Sequence, residues 1–191
     1  MALGISLVGL LILVLIGIVA VVYAVSIYNG LVQLKNQIDK SWSNIDVLLK
    51  QRADMLPNLI ETCKGYMQHE RGTLEAVTQA RSSWQNASTV GQQIEAHNQM
   101  AGALKTLFAV AENYPQLKAN ENFLKLQGSI EQIENQIADR REFYNDAVNL
   151  FNTAIQQFPD LIVARLLAYQ AAPYFKIEEA DRAVPKVSFA T

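Results

Sequence analysis

The sequence predicts an all-α protein, with an N-terminal single transmembrane helix continuing into an antiparallel helical bundle. Three observations predict this. Residues Leu3 to Tyr28 carry no charged side chain, and the first charged side chain in the chain is Lys35. From Leu31 onward, apolar residues recur at steps of three and four, the signature of one helix face. The remainder is rich in Gln, Asn, Ala, Leu and Glu, which favours helix over sheet.

The apolar run exceeds the roughly 20 residues a helix needs to cross a bilayer. Unpaired backbone amides are too costly in lipid, so a spanning segment has to be helical. A cleaved secretory signal is the rival reading. It calls for a basic start and a short apolar core, and here no Lys or Arg precedes the run. Val22-Tyr23-Ala24 is its best cleavage triplet. Lys35, Lys40, Lys50 and Arg52 follow the run, which puts the body in the cytoplasm and the short N-terminus outside. Gly17, Ala20 and Ala24 share one face at helical spacing. They are candidate packing positions for a second membrane helix, although no GxxxG is present.

Past Asn29-Gly30, a stripe of Leu31, Leu34, Ile38, Ile45, Leu49, Leu56, Leu59, Cys63 and Tyr66 predicts that the rod continues with little interruption. Pro57 lies inside this pattern and predicts a kink near Met55–Leu56, since proline removes one helical hydrogen bond. Gly65 and Gly72 flank a turn. A second helix is predicted over 73–84 with Leu74, Val77, Arg81 and Trp84 on one side. A third covers 89–113, after capping residues at Asn86-Ala87-Ser88-Thr89, and ends at Tyr114-Pro115. Asn120 caps a fourth helix over 121–158, striped by Phe123, Leu126, Ile130, Ile133, Ile137, Tyr144, Val148, Phe151, Ile155 and Phe158. A short fifth helix spans 161–170. Tyr174 to Thr191 reads as an extended tail able to lay Tyr174, Phe175, Val187 and Phe189 on a surface. The predicted divisions are an anchor at 1–30, a bundle at 31–172 and a tail at 173–191, with short links that favour antiparallel packing.

The 191 residues suffice for the anchor and one domain. A net charge of −2 supplies no basic surface for nucleic acid. Cys63 is the single cysteine, which excludes an internal disulfide and a thiolate zinc site. His69-Glu70 begins like a zinc-protease motif but lacks the second histidine one turn on. Tyr66 and Ile94 stand where a di-iron bundle would need glutamates before His69 and His97. Both histidines are therefore expected at the surface or in loops, and Cys63 as a small buried hydrophobe. No residue stands out as catalytic, cofactor-binding or metal-binding.

Arg52 and Arg140 fall on or beside apolar stripes. A buried guanidinium needs an acidic partner, and Glu61, Glu112 and Glu134 are the candidates for pairs crossing the bundle. The bland alternative is that both arginines reach solvent. Asn145, Asn149 and Asn152 form a second polar line. This pattern points to a non-enzymatic membrane scaffold or interaction protein, holding lipid through residues 3–28 and forming homo-oligomers. The alternative is a bundle groove that takes a lipid, a small molecule or a partner helix.

Particular words then stand out. They include Tyr28-Asn29-Gly30-Leu31-Val32, Ser41-Trp42-Ser43-Asn44-Ile45-Asp46 with Gln51-Arg52, and Leu56-Pro57-Asn58-Leu59. Arg81, Glu112-Asn113-Tyr114-Pro115-Gln116-Leu117-Lys118-Ala119, Phe123-Leu124-Lys125-Leu126-Gln127 and Glu134 follow. Ile137-Ala138-Asp139-Arg140-Arg141, Tyr144-Asn145, Phe151-Asn152, Phe158-Pro159 and Val184-Pro185-Lys186-Val187-Ser188-Phe189 complete the set. Over essentially its whole length the chain resembles the bacterial LemA family. It departs at Gln51, where a basic residue is common, and at Phe151, where a tyrosine is common. The resemblance implies a bundle anchored in the bacterial cytoplasmic (inner) membrane, N-terminus outside and body inside, with no established catalytic activity.

Overall fold

The structure, a computed structural model, describes residues 2–176; the predicted tail residues Val187 and Phe189 lie outside them. Among the described residues the chain is helical, in six helices: α1 (Ala2–Lys64), α2 (Arg71–Asn86), α3 (Val90–Ala111), α4 (Pro115–Lys118), α5 (Glu121–Ala154) and α6 (Asp160–Leu166). The described residues divide into two compact units. One comprises 2–42 and 143–172, the other 43–142 and 173–176.

Among the described residues α1, whose first part belongs to the first unit, is the single helix long and apolar enough to cross a membrane, and its apolar window is wholly unburied. Val8, Leu13, Val19 and Val22 all face outward, on every side of the helix. Water cannot solvate such a surface cheaply, whereas lipid can. Burial on α1 begins just past this segment: Tyr28 is 46% exposed and Leu31 only 1%. Further along, Trp42 meets Tyr144 of α5 edge-on, with ring centroids 5.3 Å apart. Phe151 meets Tyr169 in the same way at 5.5 Å. Asn152 pins the chain after α6, donating to the Ala172 carbonyl at 3.0 Å and accepting from the Ala172 N–H at 2.8 Å.

The second unit is an up-down helical bundle around one core. Leu56, Leu59 and Cys63 of α1 pack with Leu74 and Val77 of α2, Met100 and Leu107 of α3, Leu117 of α4, and Phe123 and Ile130 of α5. Cross-contacts set the directions. On α1 and just beyond it, Arg52 meets Glu134 while Tyr66 meets Asn120, so α5 runs antiparallel to α1. His97 meets Arg52 and Tyr114 meets Glu70, so α3 runs along α1.

Two helix starts, those of α3 and α5, are capped by side chains that the sequence offers. Thr89 opens α3 with a full capping box: its hydroxyl accepts from the Gln92 N–H, and the Gln92 side chain accepts from the Thr89 N–H. Asn120 accepts from the Phe123 N–H at 3.0 Å and caps α5. Tyr114-Pro115 ends α3 as the spacing predicts, but Pro115 also starts α4, a turn the periodicity does not signal because proline suits a first helical position. The fifth predicted helix is shorter than expected, closing at Leu166. Pro57 lies within α1 without ending it. It withholds the N–H that the Ala53 carbonyl would accept, and the Arg81 Nε of α2 donates to that carbonyl instead at 3.1 Å.

Candidate functional site

The most unusual chemistry in the second unit is a buried polar cluster contributed by α1, α3 and α5. Arg52 is 0% exposed. Its Nη1 donates to Glu134 Oε2, and its Nη2 lies 2.8 Å from His97 Nδ1. Arginine only donates, so His97 Nδ1 is the acceptor and the ring proton sits on Nε2. That Nε2 faces Glu134 Oε1 at 3.6 Å, beyond a good hydrogen bond. Arg52 Nε finds no hydrogen-bond partner among the described residues. Phe175 is buried edge-on against the His97 ring, centroids 4.9 Å apart, and the Asn98 side-chain amide donates to the Lys176 carbonyl at 3.3 Å. The start of the predicted tail is thus laid on α3.

The electrostatics follow from burial. His97 is pushed down to about 3 by its desolvation, reinforced by the positive charges of Arg52 and Arg141. It is neutral at physiological pH, too weak a base for proton transfer there. Burial also pulls the Arg52 guanidinium below its ordinary value, against the opposing attraction of Glu134. Glu134 is the half-open member of the cluster. Its side chain borders a cavity of about 360 Å³ between α3 and α5, lined otherwise by Ala101, Leu104, Lys105, Phe108, Ile130 and Glu131. Desolvation favours the neutral form of two other groups as well, here by raising them. The Cys63 thiol rises to about 11, and the Tyr144 phenol to about 12 with a further push from Asp39.

Of the five residues singled out for buried pairing, the structure brings together Arg52 and Glu134. The others correct the expectation. Glu61 is exposed and pairs with Lys64 one turn away at 3.4 Å, because it lies on the side of α1 opposite Cys63. Glu112, at the end of α3, is exposed and pairs with Lys118. Arg140 is exposed, and it is the neighbouring Arg141, half-buried, that acts on His97. His69 is exposed as expected, whereas His97 is buried, not a surface or loop residue. A signal for it exists: Ile94, His97, Met100 and Leu104 follow one helical stripe, so His97 shares the buried face. Gly17, Ala20 and Ala24 lie exposed on the apolar part of α1, with open space around Gly17. Of the asparagine line, Asn152 is the member that clasps Ala172.

Chemically, the cluster is a crosslink. One guanidinium grips a carboxylate from α5 and an imidazole from α3, and so fixes the register of three helices. Comparison with known proteins agrees with a membrane-attached helical body. The LemA family profile matches residues 41–189. The protein LemA of Metamycoplasma hominis is 30% identical over 168 residues, covering 87% of this chain and 76% of its own. The magnetosome protein MamQ 2 of Paramagnetospirillum magneticum is 23% identical over 179 residues, covering 80% of this chain and 66% of its own. The magnetosome protein MamQ of Magnetospirillum gryphiswaldense is 21% identical over 174 residues, covering 78% and 64%. The chain thus spans just under two thirds of the length of these MamQ relatives. With the matched profile covering most of the helical body behind an apolar N-terminal helix, the chain belongs to the LemA family.

Proposed function

We propose that the protein is a non-enzymatic, self-associating scaffold of the bacterial cytoplasmic membrane. Its N-terminus faces outward and its helical body lies in the cytoplasm, as the basic residues that follow the apolar segment favour. One observation carries self-association. Outside the membrane segment, α5 presents Phe143 and Leu150 to solvent, 64% and 51% exposed, seven residues apart and therefore on one face. An anchored body meets its copies at the high effective concentration of a plane, where even a small apolar face is enough to assemble. The test is native mass measurement of the chain in lipid nanodiscs or mild detergent. Multimers are expected for the natural sequence, with a shift towards monomer on Phe143→Glu with Leu150→Glu. A strict monomer at high protein density contradicts the proposal.

The cavity between α3 and α5 favours a second reading, in which this apolar recess with the Glu134 carboxylate at its border takes a small amphiphile. Co-purified lipid that is lost on Leu104→Trp, with multimers unchanged, would select this reading over the first.

A further inference from the structure

α6 wears its apolar residues on the wrong side for a protein in water. The small Ala164 is buried, while Phe158, Ile162 and Leu166 are 81%, 54% and 82% exposed. Ile162 and Leu166 stand one turn apart on α6 and form an exposed apolar ridge, Phe158 is exposed in the turn just ahead of it, and exposed Arg165 adjoins it. The ridge is held firmly. Residue 172 returns to α5 through the paired hydrogen bonds of Asn152, and Tyr169 packs on Phe151, so the chain between them is a closed excursion from the end of α5.

Its place in the unit says what covers it. The unit has two parts, 2–42 and 143–172. Trp42 meets Tyr144, and α5 then runs about 15 Å further to Ala154. Along α1, burial starts at Leu31, directly after the membrane segment, so the second part of the unit packs up to the edge of that segment. The excursion carrying α6 leaves α5 at this end.

We propose that α6 is a second membrane contact: Ile162 and Leu166, with Phe158 just ahead of them, enter the lipid interface beside the anchor, and Arg165 meets anionic headgroups. Large apolar side chains with a neighbouring base are the composition of helices that lie in the plane of a membrane surface. The inference uses the anchor alone and is independent of self-association.

Nitroxide labels test it in the full chain, reconstituted in vesicles of phosphatidylethanolamine and phosphatidylglycerol. In a Cys63→Ala background, Phe158→Cys, Ile162→Cys and Leu166→Cys each carry one label, and Glu95→Cys serves as the exposed reference. The expected result at these three positions is a loss of collisions with water-soluble nickel chelate and a gain with oxygen, relative to position 95. Nickel accessibility equal to that at position 95 overturns the proposal. So does exclusion of both reagents with spin–spin broadening, which would mean that a second copy covers the ridge.

Discussion

Arg52 is the residue on which the second unit turns. It has no exposed surface, and it is tolerated there because Glu134 and His97 accept from its two terminal nitrogens. Arg52→Met leaves the half-open Glu134 carboxylate without its partner and the buried His97 without its donor. It is expected to cost about 1–3 kcal/mol in urea unfolding of the solubilised chain, less than for a fully buried pair because Glu134 keeps access to solvent. A change within ordinary surface scatter contradicts this role. His97 makes the same unit acid-sensitive. Its folded value near 3 lies below the 6.5 of an exposed histidine. The unfolded chain therefore takes up the proton first as pH falls. Its contribution is fully present above about pH 6.5 and is lost towards pH 3, at up to about 1.4 kcal/mol per pH unit. His97→Gln is expected to flatten the stability profile in that window, and an unchanged slope contradicts the assignment. Glu134 was one of three acids the sequence offered Arg52, and that one of them would be needed was legible because a charge on an apolar stripe demands a partner. The choice between Arg140 and Arg141 was not. At 100° per residue, the two flank the Ile137–Tyr144 line on opposite sides, and only the position of α3 decides which one turns inward.

At the scale of elements, periodicity located the helices well and the prolines less well. The stripes of α1, α3 and α5 read directly, because each buries a continuous face. Pro57 reads locally as damage to α1, and its remedy lies on another helix, where Arg81 takes up the carbonyl of Ala53. Nothing in either segment alone reveals that exchange. Arg81→Met is expected to destabilise the chain by about 1–3 kcal/mol, the cost of a buried carbonyl left without a donor. In a Pro57→Ala background, the restored N–H reaches Ala53 within the helix, and the same substitution is expected to cost distinctly less. Equal costs in both backgrounds, measured by urea unfolding, would show that Arg81 acts in some other way. The cap at Asn120 and the box at Thr89 were readable because the donors they satisfy lie within one turn. The burial of Phe175 on His97 joins residues 78 positions apart in sequence, which no local pattern encodes.

For the molecule as a whole, the division of labour is simple. An apolar segment exposed on every side requires lipid, and the helical body behind it is internally packed and crosslinked. The claim that most depends on this is retention of residues 3–28 as a lipid-embedded anchor. Membranes washed with alkaline carbonate, followed by N-terminal peptide mapping of the protein they retain, test it directly. The account predicts that the chain stays with the lipid and still carries the Leu3–Tyr28 segment. Recovery of the body in the wash, with its N-terminus at or after residue 25, would contradict it.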